Sequence, residues 1–283
     1  MLKSAHSLNT KKRRASPFAY LLMILLSFIM IYPFICVVLI SLKTMNEFRD
    51  NPIGFPLALT FTNYIEVYIK GDILTAFFNS TFLTGLSVAG IIIFGSLTAY
   101  ALTKMRFKKA AFFSNVFLAP MIFPIQTIII PLYFLFRSMH LVNNMWGLIT
   151  IFIAGNLPMS IFILTGFMKT IPYALSEAAF VEGANHFRVY FRIILPLIKP
   201  AIATAGIIIG IFIWNDFYLP LIMMNDRKLS PLPLKIFMFS GQYEQFWTMI
   251  CTCVVFLTLP VVIVYLLLQK QIISGVVAGS VKG

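Results

Sequence analysis

The chain has 283 residues, 60% of them hydrophobic and only 11% charged, with a formal net charge of +13 and a mean hydropathy of +0.92. Soluble domains carry about 25% charged residues, so a single aqueous core is excluded and a membrane domain with several spans is indicated. Mapped along the chain, the basic excess describes topology and makes no case for nucleic-acid binding.

The first element follows a basic segment, in "KKRRASPFAYLLMILLSF" (11–28). The flank resembles a secretory leader. Its apolar run outlasts an h-region of about 7–15 residues, and no small-x-small site follows closely. It therefore reads as an uncleaved span. Charge-free windows cover 15–42, 73–103, 110–136, 138–168 and 245–269, and 200–225 is broken only by Asp216. Each supplies the roughly 20 apolar residues that cross a bilayer. Spans are expected near 18–42, 77–102, 111–135, 145–168, 200–223 and 248–268. The fold class is thus all-α, a six-helix domain over 18–269 between terminal segments 1–17 and 270–283. Loops 43–76 and 224–247 lie on one side, and a polar loop, 169–199, lies on the other. The side holding both termini carries 15 of the 22 Lys and Arg, and the opposite side carries six of the nine acids. The positive-inside rule makes the basic side cytoplasmic.

Motifs for covalent chemistry are missing from the sequence. There is no G-x-x-x-x-G-K-[ST] phosphate loop and no H-E-x-x-H. His6, His140 and His186 are scattered, and Asp216 is the one acid inside a span. Cys36, Cys251 and Cys253 all fall in spans, where they read as small buried hydrophobes. No catalytic, metal or cofactor set is expected on this chain.

The polar loop is the exception to the apolar pattern. In "SEAAFVEGANHFRVYFRIILPLIKP" (176–200) two short helices are expected at an angle. Thr170 is a candidate cap and Pro172 suits a first turn. Ala178 and Ala179 give a thin face, and Gly183 is a C-terminal stop. Asn185 can cap "HFRVYFRIIL", which is expected to end at Pro196. Glu177 can order the bend by pairing with Arg188 or Arg192, or by accepting backbone N–H bonds. Two roles stand open: docking on another protein, or lying on headgroups with Arg188 and Arg192 on phosphates.

Glu177-Ala178-Ala179, three residues, Gly183, nine residues, Ile193, one residue, Leu195-Pro196 resembles the EAA loop of ATP-binding-cassette (ABC) importer permeases. Glu182 stands where that family often has Asp. "FFNSTFLT" (77–84), "AYALTKMRF" (99–107), "PMIFPIQTIIIPLYFLFRSMHLVNN" (120–144), "WNDFYLPL" (214–221) and "SGVVAGSVKG" (274–283) are similar to the carbohydrate, maltose-permease (MalG-like) branch. The resemblance implies a type I importer permease fold in a bacterial inner membrane. It implies that Glu177, Ala178, Ala179, Gly183, Ile193, Leu195 and Pro196 couple the chain to an ATPase. The implied partners are a second permease subunit, two ATPase subunits that hold ATP and Mg, an extracytoplasmic sugar-binding protein, and membrane lipid.

Residues for a translocation path are sought where spans are interrupted. Irregular backbone at depth must face protein or a wet cavity. Pro120, Pro124 and Pro131 break the third span around Gln126 and Thr127. Asn156 and Pro158 interrupt the fourth span, and Trp214, Asn215 and Asp216 the fifth. A Trp beside polar groups suits a sugar. Kinks for packing, and an Asp satisfied by a neighbouring chain, account for the same residues. Gly206 and Gly210 form a GxxxG that permits close helix approach. Loop 224–247 either meets a delivered binding protein or packs on its own chain. The overall expectation is a carbohydrate permease subunit, with a non-sugar ABC permease or a secondary transporter as the alternatives.

Overall fold

The computed structural model describes residues 16–240 and 246–280. The chain opens with α1 (Pro17–Ser41), started by Pro17 in the first turn and by Ser16 Oγ accepting from the Ala19 N–H at 3.2 Å. A proline there loses no helical hydrogen bond. Two short helices follow, α2 (Met45–Asp50) and α3 (Thr62–Lys70), then the long α4 (Ile73–Lys104). The buried Lys43 ties this region together by donating to Asn51 O at 2.6 Å, and Asn63 Nδ2 donates to Ser41 O and Lys43 O.

The expected third span is a bent pair. It comprises α5 (Ala110–Leu118), which continues as a 3-10 turn over Ala119–Ile122, and α6 (Ile125–Ser138), which lies at 97° to it. Phe123 is extended, at φ −97° and ψ 123°. The ring of Pro124 disfavours the α conformation for the residue before it, and the helix stops there. The fourth span is α7 (Met145–Thr170), capped by Asn144 Oδ1 at the Trp146 N–H.

The polar loop then forms α8 (Ala174–Val181) and α9 (His186–Val189), a π-helical stretch over Tyr190–Ile194, and α10 (Leu195–Leu197). After a 72° bend comes α11 (Lys199–Asn215). The expected fifth helix, 200–223, therefore ends eight residues early, because Asp216 leaves the helical region (ψ 120°) and a separate α12 (Tyr218–Met223) begins. Next are α13 (Leu232–Lys235), with a 3-10 turn Ile236–Phe239, and α14 (Trp247–Ser280). The apolar span of α14 ends at Gln269, and the helical backbone continues through Ser280 over the segment expected as the tail.

Among the described residues, α1, α4, α7 and Trp247–Gln269 of α14 are long and apolar enough to cross a bilayer. Counting each bent pair as one span makes six. The packing centres on α4 and α7, with α11 against both and against α14. Gly95 lets α4 approach α7, since a Cβ there would collide with the Ser160 side chain, whose Oγ donates to Ile91 O at 3.4 Å. A central apolar cluster includes Leu83, Ile91, Ile129, Phe152 and Ile209. A second, around Tyr100, Met168, Ala179 and Ile194, lies at the polar loop, and a third, around Val67, Leu232 and Phe239, at the other end. Gly206 and Gly210 face Val88, with room for a Cβ at 3.6 Å, and border an apolar groove of ≈ 380 Å³ between α4, α11 and α14. The GxxxG therefore opens a groove here in place of a tight helix crossing.

Candidate functional site

The two helices of the polar loop are each built by a local signal. At the end of α8 the Ala184 N–H reaches Ala179 O (2.9 Å) and the Gly183 N–H reaches Phe180 O (3.0 Å), with Gly183 at φ +83°. This pair of bonds is the Schellman stop, which needs a left-handed residue and so favours glycine. Asn185 Oδ1 then accepts from the Arg188 N–H at 2.9 Å and starts α9, as its residue type predicted.

The start of α8 differs from expectation. Thr170 still belongs to α7, with its hydroxyl donating to Phe167 O, and Tyr173 is the first flanking residue of α8. The end of the second helix differs too. Pro196 does not terminate it. The backbone widens so that the Leu195 N–H reaches back five residues to Tyr190 O, and the helix runs on to Leu197. The wider turn accommodates a proline ring that would press on the carbonyl four residues earlier in an α-helix.

The side chains of α8 divide by face. Ser176 and Ala179 are buried against the chain itself, whereas Glu177, Ala178 and the 89%-exposed Val181 point outward. Ala178 and Ala179 therefore do not share a docking face: successive helical residues point about 100° apart. Ala179 packs with Tyr100, Val189 and Ile194. The outward surface continues onto α9 and the π-helical stretch after it, where Phe187 and Phe191 are exposed and stack at 6.0 Å. Ile193 and Leu195 are half-buried against the same inner cluster, and Pro196 is exposed.

Glu177 pairs with neither Arg188 nor Arg192. Its Oε1 lies 3.4 Å from Arg106 Nη1, with both side chains more than half exposed. The Arg106 guanidinium also stands over the Tyr173 ring, 3.4 Å from its centre. Arg106 takes a left-handed backbone (φ +48°) to reach them. Three more contacts from α4 hold the loop. Ser96 Oγ meets Tyr190 OH at 2.7 Å, Tyr100 OH meets His186 Nδ1 at 3.1 Å, and Lys104 Nζ donates to Ile171 O at 2.6 Å. Ser96, Tyr100, Lys104 and Arg106 had no assigned role in the sequence reading. The first three carried a signal, a polar residue at every fourth position of an apolar helix, whereas Arg106 lies beyond the end of α4.

The path candidates do not converge on one point. Gln126 is exposed at the start of α6, and Asn156 is half-buried in α7 and donates to Phe152 O on its own helix. These two flank one helix contact, Gly155 against Ile125 Cδ1. Trp214 lies elsewhere. Its Nε1 donates to Leu257 O of α14 at 3.1 Å, and its ring packs edge-on to Phe77. Asn215 is exposed and donates to Ile211 O. Asp216 accepts the Leu219 N–H at 2.9 Å and so caps α12. It is held by its own backbone, a partner that neither alternative, a sugar or a neighbouring chain, had named. The polar groups of Trp214 and Asp216 are thus engaged within the chain.

Loop 224–240 packs on its own chain. Asn143, left-handed at φ +57°, accepts the Asn225 and Asp226 N–H groups, Asn79 Nδ2 donates to Lys228 O at 2.7 Å, and the Leu232 N–H donates to Ser80 Oγ at 2.8 Å. Positions 241–245 of the loop, 1–15 of the N-terminal segment and 281–283 of the tail lie outside the described residues.

Residues 91–275 match the family described as "Binding-protein-dependent transport system inner membrane component". The chain is 34% identical to the probable starch degradation products transport system permease protein AmyC of Thermoanaerobacterium thermosulfurigenes, over 92% of this chain and 94% of that one. It is also 34% identical to the melibiose/raffinose/stachyose import permease protein MelC of Bacillus subtilis (strain 168), over 89% and 91%. Its fold matches a chain in the crystal structure of a bacterial ABC transporter involved in import of the acidic polysaccharide alginate. That match has a TM-score of 0.79 at 23% identity and covers 89% and 94% of the two chains. With the matched segment reaching from the middle of α4 into α14 and enclosing the whole polar loop, the chain belongs to the family of binding-protein-dependent transport system inner membrane components.

Proposed function

We propose that this chain is one permease subunit of an ABC importer that carries a carbohydrate, most simply an oligosaccharide, across the cytoplasmic membrane. It pairs with a second, related permease, two ATPase subunits that bind ATP and Mg, and an extracytoplasmic sugar-binding protein. The observation that carries this reading is the loop helix α8. It is stopped by Gly183, held from behind by α4, and turned so that Glu177, Ala178 and Val181 face away from the chain beside Phe187 and Phe191. An outward face of this kind on the basic side of the membrane suits docking onto a soluble cytoplasmic subunit. The similarity to AmyC and MelC supports a carbohydrate cargo.

In this mechanism ATP closes the ATPase pair and carries α8 with it. The bundle rocks open to the outside, the binding protein releases its sugar into the space between the two permeases, and hydrolysis resets the bundle. Glu177 and Gly183 transmit the movement, Glu177 by its carboxylate at the docked surface and Gly183 by fixing where α8 ends. Both termini lie in the cytoplasm. Mild-detergent purification through this chain, followed by mass spectrometry, tests the assembly. A P-loop ATPase and a second six-span permease are expected to co-purify. Recovery of the chain alone, or of a homodimer that moves solute without ATP, would put a secondary transporter first.

A further inference from the structure

Ser96, Tyr100 and Lys104 stand four residues apart, so they share one face of α4. All three are buried, and each makes one hydrogen bond to the polar loop: to Tyr190, to His186 and to Ile171 O. Tyr100 adds edge-on contacts with the rings of Tyr190 (5.3 Å) and His186 (6.1 Å). At its far end the same helix holds the outer loop, with Asn79 Nδ2 donating to Lys228 O and Ser230 O, and Ser80 Oγ accepting from the Leu232 N–H. Both grips lie on one unbroken helix of 32 residues, about 48 Å long at the helical rise. It contains no proline, whereas α1, α7 and α14 carry Pro33, Pro158 and Pro260. Proline is a common cause of a sharp kink, and α4 is the one proline-free helix among the four continuous spans of the described residues.

We infer that α4 is the rod that links the cytoplasmic loop to the outer loop, with Ser96 and Tyr100 as positioning residues at its inner end and Asn79 at its outer end. This rests on the importer reading above. A displacement of α8 and α9 by the ATPase reaches loop 224–240 as a rigid-body shift of α4. Docking of the binding protein on that loop reaches the ATPase by the same route, since coupling between two sites is reciprocal. A packed, contiguous element gripped at both ends can carry such coupling, and α4 is one.

The test uses the whole complex in proteoliposomes, with binding protein and solute outside. Three variants are compared: Ser96→Ala with Tyr100→Phe at the inner end, Asn79→Ala at the outer end, and all three together. The phenylalanine keeps the ring packing and removes only the hydroxyl, and Thr258→Ala, in the interior of α14, serves as control. Equal recovery of the ATPase subunits establishes that each variant assembles. The inner and outer variants are each expected to lower uptake about tenfold, the scale of two lost hydrogen bonds, while ATP hydrolysis continues, so ATP consumed per solute rises. The triple variant is expected to be no worse than the weaker of the two, because both break one series connection. Proportional loss of uptake and hydrolysis, or inner and outer losses that multiply, would overturn the rod. A wild-type complex that lacks the ATPase would remove the importer reading and the rod together.

Discussion

Replacing Gly183 separates backbone geometry from side-chain size at the coupling loop. The residue sits at φ +83°, and a Cβ built on it meets nothing within 4 Å in this chain. The cost of a side chain is therefore conformational: about 1–2 kcal/mol for a left-handed L-residue, a factor of roughly 5–30 in population. Valine, branched at Cβ, carries the full cost, and asparagine tolerates the left-handed region better. Gly183→Val is expected to fray the last turn of α8, loosen the bonds to Ala179 and Phe180, and lower ATP-driven uptake by about that factor. Gly183→Asn should retain most of the activity. Uptake into proteoliposomes at matched protein recovery measures both. Wild-type uptake by the valine variant would refute the geometric reasoning. An asparagine variant as inactive as valine would show that size at a docked surface governs the position.

Further outcomes follow from individual contacts. Arg106→Ala removes an exposed ion pair and a ring contact, each worth about 1 kcal/mol or less, so the thermal midpoint should move by only a few degrees, as read by fluorescence-detected unfolding. Asp216→Asn keeps an acceptor for the Leu219 N–H, and Asp216→Ala loses a cap worth about 1 kcal/mol. The alanine variant should be less stable, while the apparent KM for solute stays unchanged in both. Trp214→Phe should likewise lower stability by about 1 kcal/mol, through the lost bond to Leu257 O, without altering the range of sugars imported. Burial pushes the Lys235 ammonium below its ordinary 10.5, with Asp72 opposing and Arg227 adding to the shift. The unfolded chain then binds the extra proton, so this destabilisation is complete below the folded pKa and fades as pH rises through it toward 10.5. Over that window the wild type should gain thermal stability relative to Lys235→Met.

The spans α1, α4, α7 and α14 were legible because a charge-free run of about 20 residues has few other homes than a bilayer. Gly183 and Asn185 were legible because stops and caps are local and written in residue type. What escaped depended on partners distant in sequence. Glu177 meets Arg106 across 71 positions, and Trp214 meets Leu257 across 43. No periodicity encodes either. The proline at 124 announced a break but not its 97° angle, which packing sets. Asp216 looked like an acid at depth and turned out to be a helix cap, because its use depended on where α11 stopped. Ala179 was read with Ala178 as one face, although adjacent helical positions diverge by about 100°.

The role proposed for this chain is to enclose, with a second permease, the passage of an ATP-driven carbohydrate importer. The most direct measurement is uptake of a panel of labelled oligosaccharides by proteoliposomes holding the complex purified through this chain. ATP and the binding protein are each supplied or withheld. Import of at least one oligosaccharide is expected to require both, and to be lost when Glu177 and Gly183 are altered together. Uptake that needs neither, or ATP-driven uptake of an amino acid with no sugar carried, would contradict it.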